Sequence, residues 1–157
     1  GMTVHGIDER WEYETPGLLR HDTGELREVA AEVDFVIATV PQTPATEGLF
    51  NRDVFTAMRS DAFFINIGRG ATTRLTDLSA AIADGEIAGC ALDVYETETL
   101  SSEHTLWTMD NVILTPHVAV AGAENIDERW FEVLTENAKR FAASEPLMNV
   151  VNKAMWY

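Results

Sequence analysis

Three side chains that could act together on an anionic carbonyl compound follow apolar runs of the chain. Arg69 stands between two glycines just after one run, Glu98 follows the next run at a short distance, and His117 ends the sequence Leu-Thr-Pro-His after the last. An arginine can hold a carboxylate through two parallel hydrogen bonds, and a histidine can transfer a proton near neutral pH. A glutamate beside that histidine would orient it and stabilise its positive charge. These residue types suit acid–base chemistry on an anionic carbonyl substrate.

Apolar runs alternate with amphipathic segments along most of the chain. The main runs are residues 35–40, 62–67, 87–94 and 112–114. They are continuous, which is typical of parallel strands buried on both faces. Strand–helix alternation predicts an α/β fold built on a doubly wound parallel sheet. The carboxyl ends of such strands lie along one edge, so Arg69, Glu98 and His117 are expected to converge on one cleft.

The rest of the pattern predicts two more strands and the helices. The predicted strands are 3–7 and 18–20, and the predicted helices are 23–32 with Thr23 as its cap, one begun by Asn51, 76–83 and 123–143. The last helix has an apolar stripe of Ile126, Trp130, Leu134, Ala138 and Phe141. Helical spacing of these residues predicts that the stripe packs against a core.

The chain of 157 residues is strongly acidic, with 26 acidic and 11 basic residues and a net charge of −15. Such a surface repels nucleic-acid phosphates and anionic membranes, so we expect neither as a partner. Two explanations stay open: an ordinary solvated acidic surface, or adaptation to a high-salt cytoplasm where screening removes the self-repulsion. To bind an anionic substrate, this negative surface would need a local positive charge, which Arg69 or Arg74 could supply.

Compartment and metal content can also be predicted. The single cysteine, Cys90, allows no internal disulfide, and neither an apolar run of membrane-span length nor a signal peptide is visible. We therefore expect a cytoplasmic protein. The histidines, cysteine and acidic residues show no metal-ligand spacing, so no metal is expected.

Asp8 ends the first predicted strand. In a dinucleotide-binding sheet, an acidic residue at the end of the second strand binds the adenosine ribose hydroxyls and repels a 2′-phosphate. Alone, a strand-terminal aspartate is weak evidence for such a site. Taken singly, Gly-Arg-Gly would more often be a turn with a solvated arginine, and Asp93 and Glu98 would more often be ordinary loop acids.

The order Gly-Arg-Gly, then Ala-Leu-Asp-Val-Tyr-x-x-Glu, then Asn-Val-Ile-Leu-Thr-Pro-His is far more specific than any of its parts. In this order the chain resembles the D-isomer-specific 2-hydroxyacid dehydrogenases over essentially all of its length. The resemblance implies a Rossmann-type nucleotide-binding domain inserted into a substrate domain, with the active site between them. It also implies hydride transfer between a nicotinamide cofactor and a D-2-hydroxy acid or 2-oxo acid.

The resemblance assigns roles to individual residues. Arg69 would bind the substrate's carboxylate and carbonyl oxygen, His117 would be the general acid/base, and Glu98 would pair with His117. Replacing Glu98 by glutamine is then expected to move the pH optimum downward. The expected cofactor is NAD, with NADP not excluded. Its binding residues would be Asp8 at the ribose, Val40, Ile67, Gly68, Arg69, Asp93 on the nicotinamide side, His117 and Val120.

The same resemblance predicts a domain division. Residues 1–121 would be a partial NAD(P)-binding domain that lacks its first strand and glycine-rich loop. Residues 122–157 would form a helix and tail that belong to, or bridge to, a substrate domain. The first strand normally lies in the middle of the sheet, so we expect two sheet fragments with unpaired edges. We expect the chain alone to be inactive, the remainder being lost or supplied by another polypeptide, and the full-length protein to be a homodimer.

One alternative of another class uses the same fold. Dinucleotide-sensing corepressors resemble these dehydrogenases and can retain the arginine, glutamate and histidine. A degenerate, non-catalytic piece is a third possibility. Turnover with 2-oxo acids would separate an enzyme from either of these.

Overall fold

The computed structural model describes residues 1–11, 14–154 and 156. The strands are β1 Val4–Ile7, β2 Leu18–His21, β3 Phe35–Ala38, β4 Phe63–Asn66, β5 Gly89–Leu92 and β6 Val112–Leu114. The α-helices are α1 Leu26–Ala30, α2 Arg52–Ala57, α3 Leu75–Ala83 and α4 Ile126–Ala143. Short 3-10 turns occupy Thr23–Glu25, Gly70–Thr72 and Thr105–Thr108.

The strands form two separate parallel sheets. One sheet contains β1 and β2, and the other contains four strands in the order β3-β4-β5-β6. Every pairing is parallel, as the continuous apolar runs predict. The predicted α/β fold with two incomplete sheets is confirmed.

The register of the four-stranded sheet aligns the ends of its strands. Ala38 of β3 pairs with Asn66 of β4, which pairs with Leu92 of β5, and Leu92 pairs with Leu114 of β6. The loops that follow these four residues therefore leave the sheet at one edge. Arg69, Glu98 and His117, the predicted reactive residues, lie in the loops that leave at this edge.

The core lies on one face of this sheet. Helices α1, α2 and α3 bury Phe55, Phe64 and Leu78 against it, and all three side chains are inaccessible to solvent. On the opposite face Phe35 and Ile37 are 52% and 56% exposed. Burial of β3 on both faces was therefore a wrong prediction for this chain. The reason is that all three helices pack against the same face, whereas successive strand side chains alternate between faces.

Of the two predicted helix caps, Asn51 is confirmed and Thr23 is wrong. The Asn51 side chain accepts a hydrogen bond from the Asp53 backbone N–H at 3.1 Å and begins α2. Thr23 is not the cap of its segment, because Asp22 takes that position and its N–H donates to the Glu25 carboxylate at 2.7 Å. Glu25, three positions after Asp22, completes a capping box. This pattern of two acidic residues is visible in the sequence.

Residues 118–157 form a compact unit distinct from residues 1–117. Within it, the Asn137 side chain binds both the N–H and the C=O of Met148, at 2.8 and 3.2 Å, and so fastens the tail to α4. Trp130, Leu134 and Phe141 of α4 are each at least 65% exposed. No other described part of this unit covers the stripe, so its predicted packing against a core stays a prediction. The predicted boundary after residue 121 stays a prediction.

Candidate active site

The loop that carries Arg69 is built on a buried asparagine. Asn66, the last residue of β4, is fully buried, and its side-chain oxygen accepts the Gly68 N–H at 2.9 Å. Its amide group donates to the Thr73 hydroxyl at 2.9 Å and to the Arg69 carbonyl at 3.2 Å. One side chain thus ties both ends of the turn that presents Arg69.

The two glycines beside Arg69 are required by close backbone approaches. A Cβ at Gly68 would lie 3.0 Å from the Val40 carbonyl, and a Cβ at Gly70 would overlap the Tyr95 carbonyl. These close contacts are internal, and they bring the ends of β3, β4 and β5 together.

Arg69 itself lies at the surface of this edge. Its Nη1 donates to the Gly68 carbonyl at 2.8 Å, which turns the side chain back over the end of β4. Arg74, the other candidate, is occupied: its Nη1 lies 3.1 Å from Glu96 Oε1, and its Nη2 lies 4.0 Å from Glu47 Oε1. Arg69 is therefore the better candidate for an anion.

Glu98 and His117 are in contact. Oε1 of Glu98 lies 3.5 Å from Nδ1 of His117, with the two side chains 48% and 54% exposed. The same oxygen accepts the Tyr95 N–H at 3.2 Å. At 3.5 Å the two groups can form an ion pair when the imidazole is protonated, but the contact is longer than a hydrogen bond of ordinary length. The predicted pairing is thus present in the geometry.

Asp93 directly follows β5 at the same edge of the sheet. It is buried, and its Oδ1 accepts a hydrogen bond from the Thr115 hydroxyl at 2.5 Å. The described contact joins the ends of β5 and β6. Its expected contact with the nicotinamide stays a prediction.

The segment between Asp93 and Glu98 is also bonded to the start of α3. Glu96 binds Arg74 through one carboxylate oxygen, and its other oxygen accepts the Leu75 N–H at 3.1 Å. A carboxylate at the first turn of α3 also interacts favourably with the helix dipole. Glu96 therefore fixes the loop that delivers Glu98.

The remaining predicted residues fall into separate places. Val40 is half-buried and Ile67 is 47% exposed at the edge formed by β3 and β4. Asp8 follows β1 in the smaller sheet, is exposed, and accepts the Arg10 N–H at 2.8 Å. Val120 is 70% exposed and belongs to the unit of residues 118–157.

Sequence reasoning missed the residues that support the site. Asn66, Tyr95, Glu96 and Thr115 make the hydrogen bonds that place the loops. Their signal in the sequence is polar residues directly at or after the end of an apolar run, a position that faces the other strand ends. Among residues 1–11, 14–154 and 156, no group of three potential ligands could hold a metal ion.

The parallel strands and the helices between them form an α/β domain of the dinucleotide-binding type, with Arg69, Glu98 and His117 following three successive strands. The family model described as "D-isomer specific 2-hydroxyacid dehydrogenase, NAD binding domain" matches residues 1–119. The chain belongs to this family.

Relatives and solved structures are similar to the chain. It is 45% identical over 94 residues to a human glyoxylate reductase/hydroxypyruvate reductase, covering 60% of this chain and 29% of that protein. A D-isomer specific 2-hydroxyacid dehydrogenase from Xanthobacter autotrophicus Py2, solved with NADPH and MES, has a TM-score of 0.91 at 34% identity and covers 100% of this chain and 64% of that one. An NADPH-dependent glyoxylate/hydroxypyruvate reductase from Sinorhizobium meliloti, solved with NADP and sulfate, has a TM-score of 0.88 at 33% identity, covering 100% and 50%.

The chain spans about half the length, or less, of the curated relatives it matches. In the described part of the chain, no helix combines the length and the apolar character needed to cross a membrane.

Proposed function

We propose that this chain supplies the acid–base and carboxylate-binding side of an NAD(P)-dependent reductase that acts on small 2-oxo acids. The observation that carries the proposal is the contact of Glu98 with His117 at the sheet edge that also presents Arg69. Membership of the dehydrogenase family supports it, because the family's nucleotide-binding domain matches most of the chain.

Residues of this edge and of the smaller sheet suit a nicotinamide dinucleotide. The partly exposed Ile67 and half-buried Val40 at the edge offer apolar surface to a flat ring. The exposed Asp8 carboxylate, which follows β1 in the smaller sheet, offers acceptors to ribose hydroxyls. A nicotinamide dinucleotide held by these residues would supply the hydride in reduction, or accept it in oxidation. An aspartate at the end of β1 disfavours a 2′-phosphate, so we expect NADH to be preferred to NADPH. The two similar structures were solved with NADPH or NADP, which makes this preference worth measuring.

The chain's own residues account for the proton and the substrate's charge. Arg69 would hold the substrate carboxylate by charge-assisted hydrogen bonds, which are stronger than neutral ones. As the carbonyl carbon is reduced, its oxygen would take a proton from the His117 imidazolium. Glu98 would stabilise that imidazolium before transfer, and His117 would afterwards regain a proton from solvent. In the oxidative direction neutral His117 would accept the hydroxyl proton.

Glyoxylate and hydroxypyruvate are the proposed substrates. Relatives bearing those names have at least a third of their residues identical to this chain over the aligned length. A small or short-tailed 2-oxo acid also needs little beyond a carboxylate anchor and a proton donor. Homodimerisation and a cytoplasmic location stay predictions.

The test is a turnover assay on the full-length gene product. Glyoxylate, hydroxypyruvate and pyruvate would each be offered with NADH and with NADPH, and reduced cofactor would be followed by absorbance. We expect oxidation of NADH that depends on glyoxylate or hydroxypyruvate. Tight cofactor binding with no turnover on any 2-oxo acid would overturn the proposal and favour a dinucleotide sensor.

A further inference from the structure

Thr115, two residues before His117, is bonded through its backbone and its side chain to the end of β5. Its N–H donates to the Leu92 carbonyl at 2.9 Å, its hydroxyl donates to Asp93, and its own carbonyl accepts the Tyr95 hydroxyl at 2.8 Å. The segment that leaves β6 is therefore fixed to β5 at three points immediately before it reaches His117.

Tyr95 is hydrogen-bonded to Glu98 and to Thr115 in the segment that leads to His117. Its backbone N–H holds the Glu98 oxygen that faces His117, while its hydroxyl holds the chain segment that carries His117. The side chain is 5% exposed and belongs to the core cluster. One buried residue thus links the position of the carboxylate to that of the imidazole.

The Tyr95 hydroxyl acts as a donor across the working pH range. Burial raises the pKa of Tyr95, and the neighbouring Asp93 and Glu98 carboxylates and the Cys90 thiol raise it further. A raised pKa keeps the phenol protonated, so it can continue to donate to the Thr115 carbonyl.

His117 needs such support because its backbone is unfavourable. Its φ of 56° lies in the left-handed region, which costs a non-glycine residue about 1–2 kcal/mol. Conformations of this kind persist where the surrounding structure fixes the chain on either side. Thr115 provides the fixed point on the amino-terminal side.

We propose that Tyr95 is a positioning residue for the acid–base pair, acting through the hydrogen bond from its hydroxyl to the Thr115 carbonyl. This inference rests on the proposed function of Glu98 and His117. It assigns to Tyr95 no contact with substrate or cofactor. Its effect is to keep the imidazole within reach of the Glu98 carboxylate.

Tyr95→Phe tests the proposal because it removes only the hydroxyl and keeps the buried ring. We expect kcat to fall roughly threefold to tenfold, the range that the net free energy of one hydrogen bond can supply. KM for the 2-oxo acid should stay within about twofold, since Arg69 is not bonded to the hydroxyl. The pH–rate profile for reduction should differ from that of the wild type, because the imidazole lies less often beside the Glu98 carboxylate.

A double-mutant comparison isolates the route of the effect. In a Glu98→Gln background, Tyr95→Phe should cost much less in kcat than in the wild type, since the pairing that it protects is already gone. Ser79→Ala is the matched control: it also loses one hydroxyl-to-carbonyl bond, from Ser79 to Leu75 at 2.7 Å within α3, and should leave both kcat and the pH profile unchanged. Equal and additive losses in both backgrounds would overturn the proposal.

A second readout does not depend on turnover. The His117 ring resonances can be followed by NMR at a fixed pH, with assignment by His117→Gln. Both Tyr95→Phe and Thr115→Val, which removes the hydroxyl tether to Asp93, should change the chemical shifts of the His117 ring, because its position beside Glu98 changes, and Ser79→Ala should not. If the enzyme proves inactive on 2-oxo acids, the proposed function fails while these chemical shifts still decide the role of Tyr95. His117 chemical shifts unchanged in both folded variants would overturn that role.

Discussion

The site consists of two layers that differ in burial. The supporting layer contains Asn66, Asp93 and Tyr95, each at most 5% exposed and each hydrogen-bonded across to another strand end or loop. The reactive layer above it contains Glu98 and His117, which are about half exposed and share one contact of 3.5 Å. The buried residues therefore hold the loops in place, whereas Glu98 and His117, which would meet a substrate, keep their polar atoms accessible.

This difference predicts two kinds of mutational effect. Replacing a reactive side chain should impair turnover with little loss of stability, because few of its contacts stabilise the fold. Replacing a supporting side chain should lower both, because buried partners lose their hydrogen bonds. Each substitution below either sharpens this contrast or breaks it.

After His117→Gln, which is considered last, the largest effect is expected for Arg69→Met. Loss of the charged anchor should lower kcat/KM for a 2-oxo acid by about 10²–10³-fold, since charge-assisted hydrogen bonds are worth about 1.5–3 kcal/mol each. The free energy of unfolding should hardly change. Steady-state kinetics and urea unfolding would measure the two quantities.

Arg59→Met is the control for that substitution. Arg59 lies after α2 and forms an exposed ion pair with Asp61 at 2.7 Å. Its removal should therefore change neither kcat/KM nor the free energy of unfolding much. A kcat/KM value for Arg69→Met within twofold of the Arg59→Met value would contradict the proposed anchor.

Asn66→Ala should act on the supporting layer. The Gly68 N–H and the Thr73 hydroxyl would lose a buried partner, and one unsatisfied buried group costs about 1–3 kcal/mol. We expect a lower free energy of unfolding together with reduced turnover, because the loop carrying Arg69 is no longer tied. Asn111→Ala, which removes a more exposed bond to the Ala88 carbonyl, is the matched control for stability. A stable Asn66→Ala variant with wild-type kinetics would break the distinction between the layers.

Glu98→Gln should have the smallest effect on rate and a clear effect on pH dependence. The substitution removes the charged group that lies 3.5 Å from the His117 imidazole. The pH–rate profile for reduction should therefore change, and the rate at neutral pH should fall about tenfold. Glu103→Gln, an exposed residue of the same long loop, serves as control. An unchanged pH–rate profile in Glu98→Gln would remove Glu98 from the mechanism.

Local sequence signals predicted the strands and several helix ends. The span of β6 and the Asn51 cap follow from an apolar run and one capping side chain, both of which are local. The exposed face of β3 could not be predicted in the same way. A continuous apolar run fits burial on both faces, and only the placement of α1 to α3 decides which face is covered.

The candidate site shows the same limit. The order of Arg69, Glu98 and His117 in the chain predicts a shared edge, because parallel strands place their carboxyl ends together. The role of Tyr95 depends on a hydroxyl that reaches Thr115, twenty positions along the chain, and on a contact with Gly70. Such pairings arise from strand register and loop geometry, which no local pattern encodes.

The central claim is that His117 moves the proton in reduction of a 2-oxo acid. The most direct test compares wild type, His117→Gln and His104→Gln in the full-length gene product, measuring both NADH binding and glyoxylate-dependent NADH oxidation. His104 accepts the Leu106 N–H in a loop before β6, so its variant controls for loss of a histidine. We predict that His117→Gln binds NADH within a few-fold of wild type yet turns over about 10²–10⁴-fold more slowly, the usual contribution of a general acid/base, while His104→Gln retains its activity. Turnover of His117→Gln equal to that of His104→Gln would contradict the account.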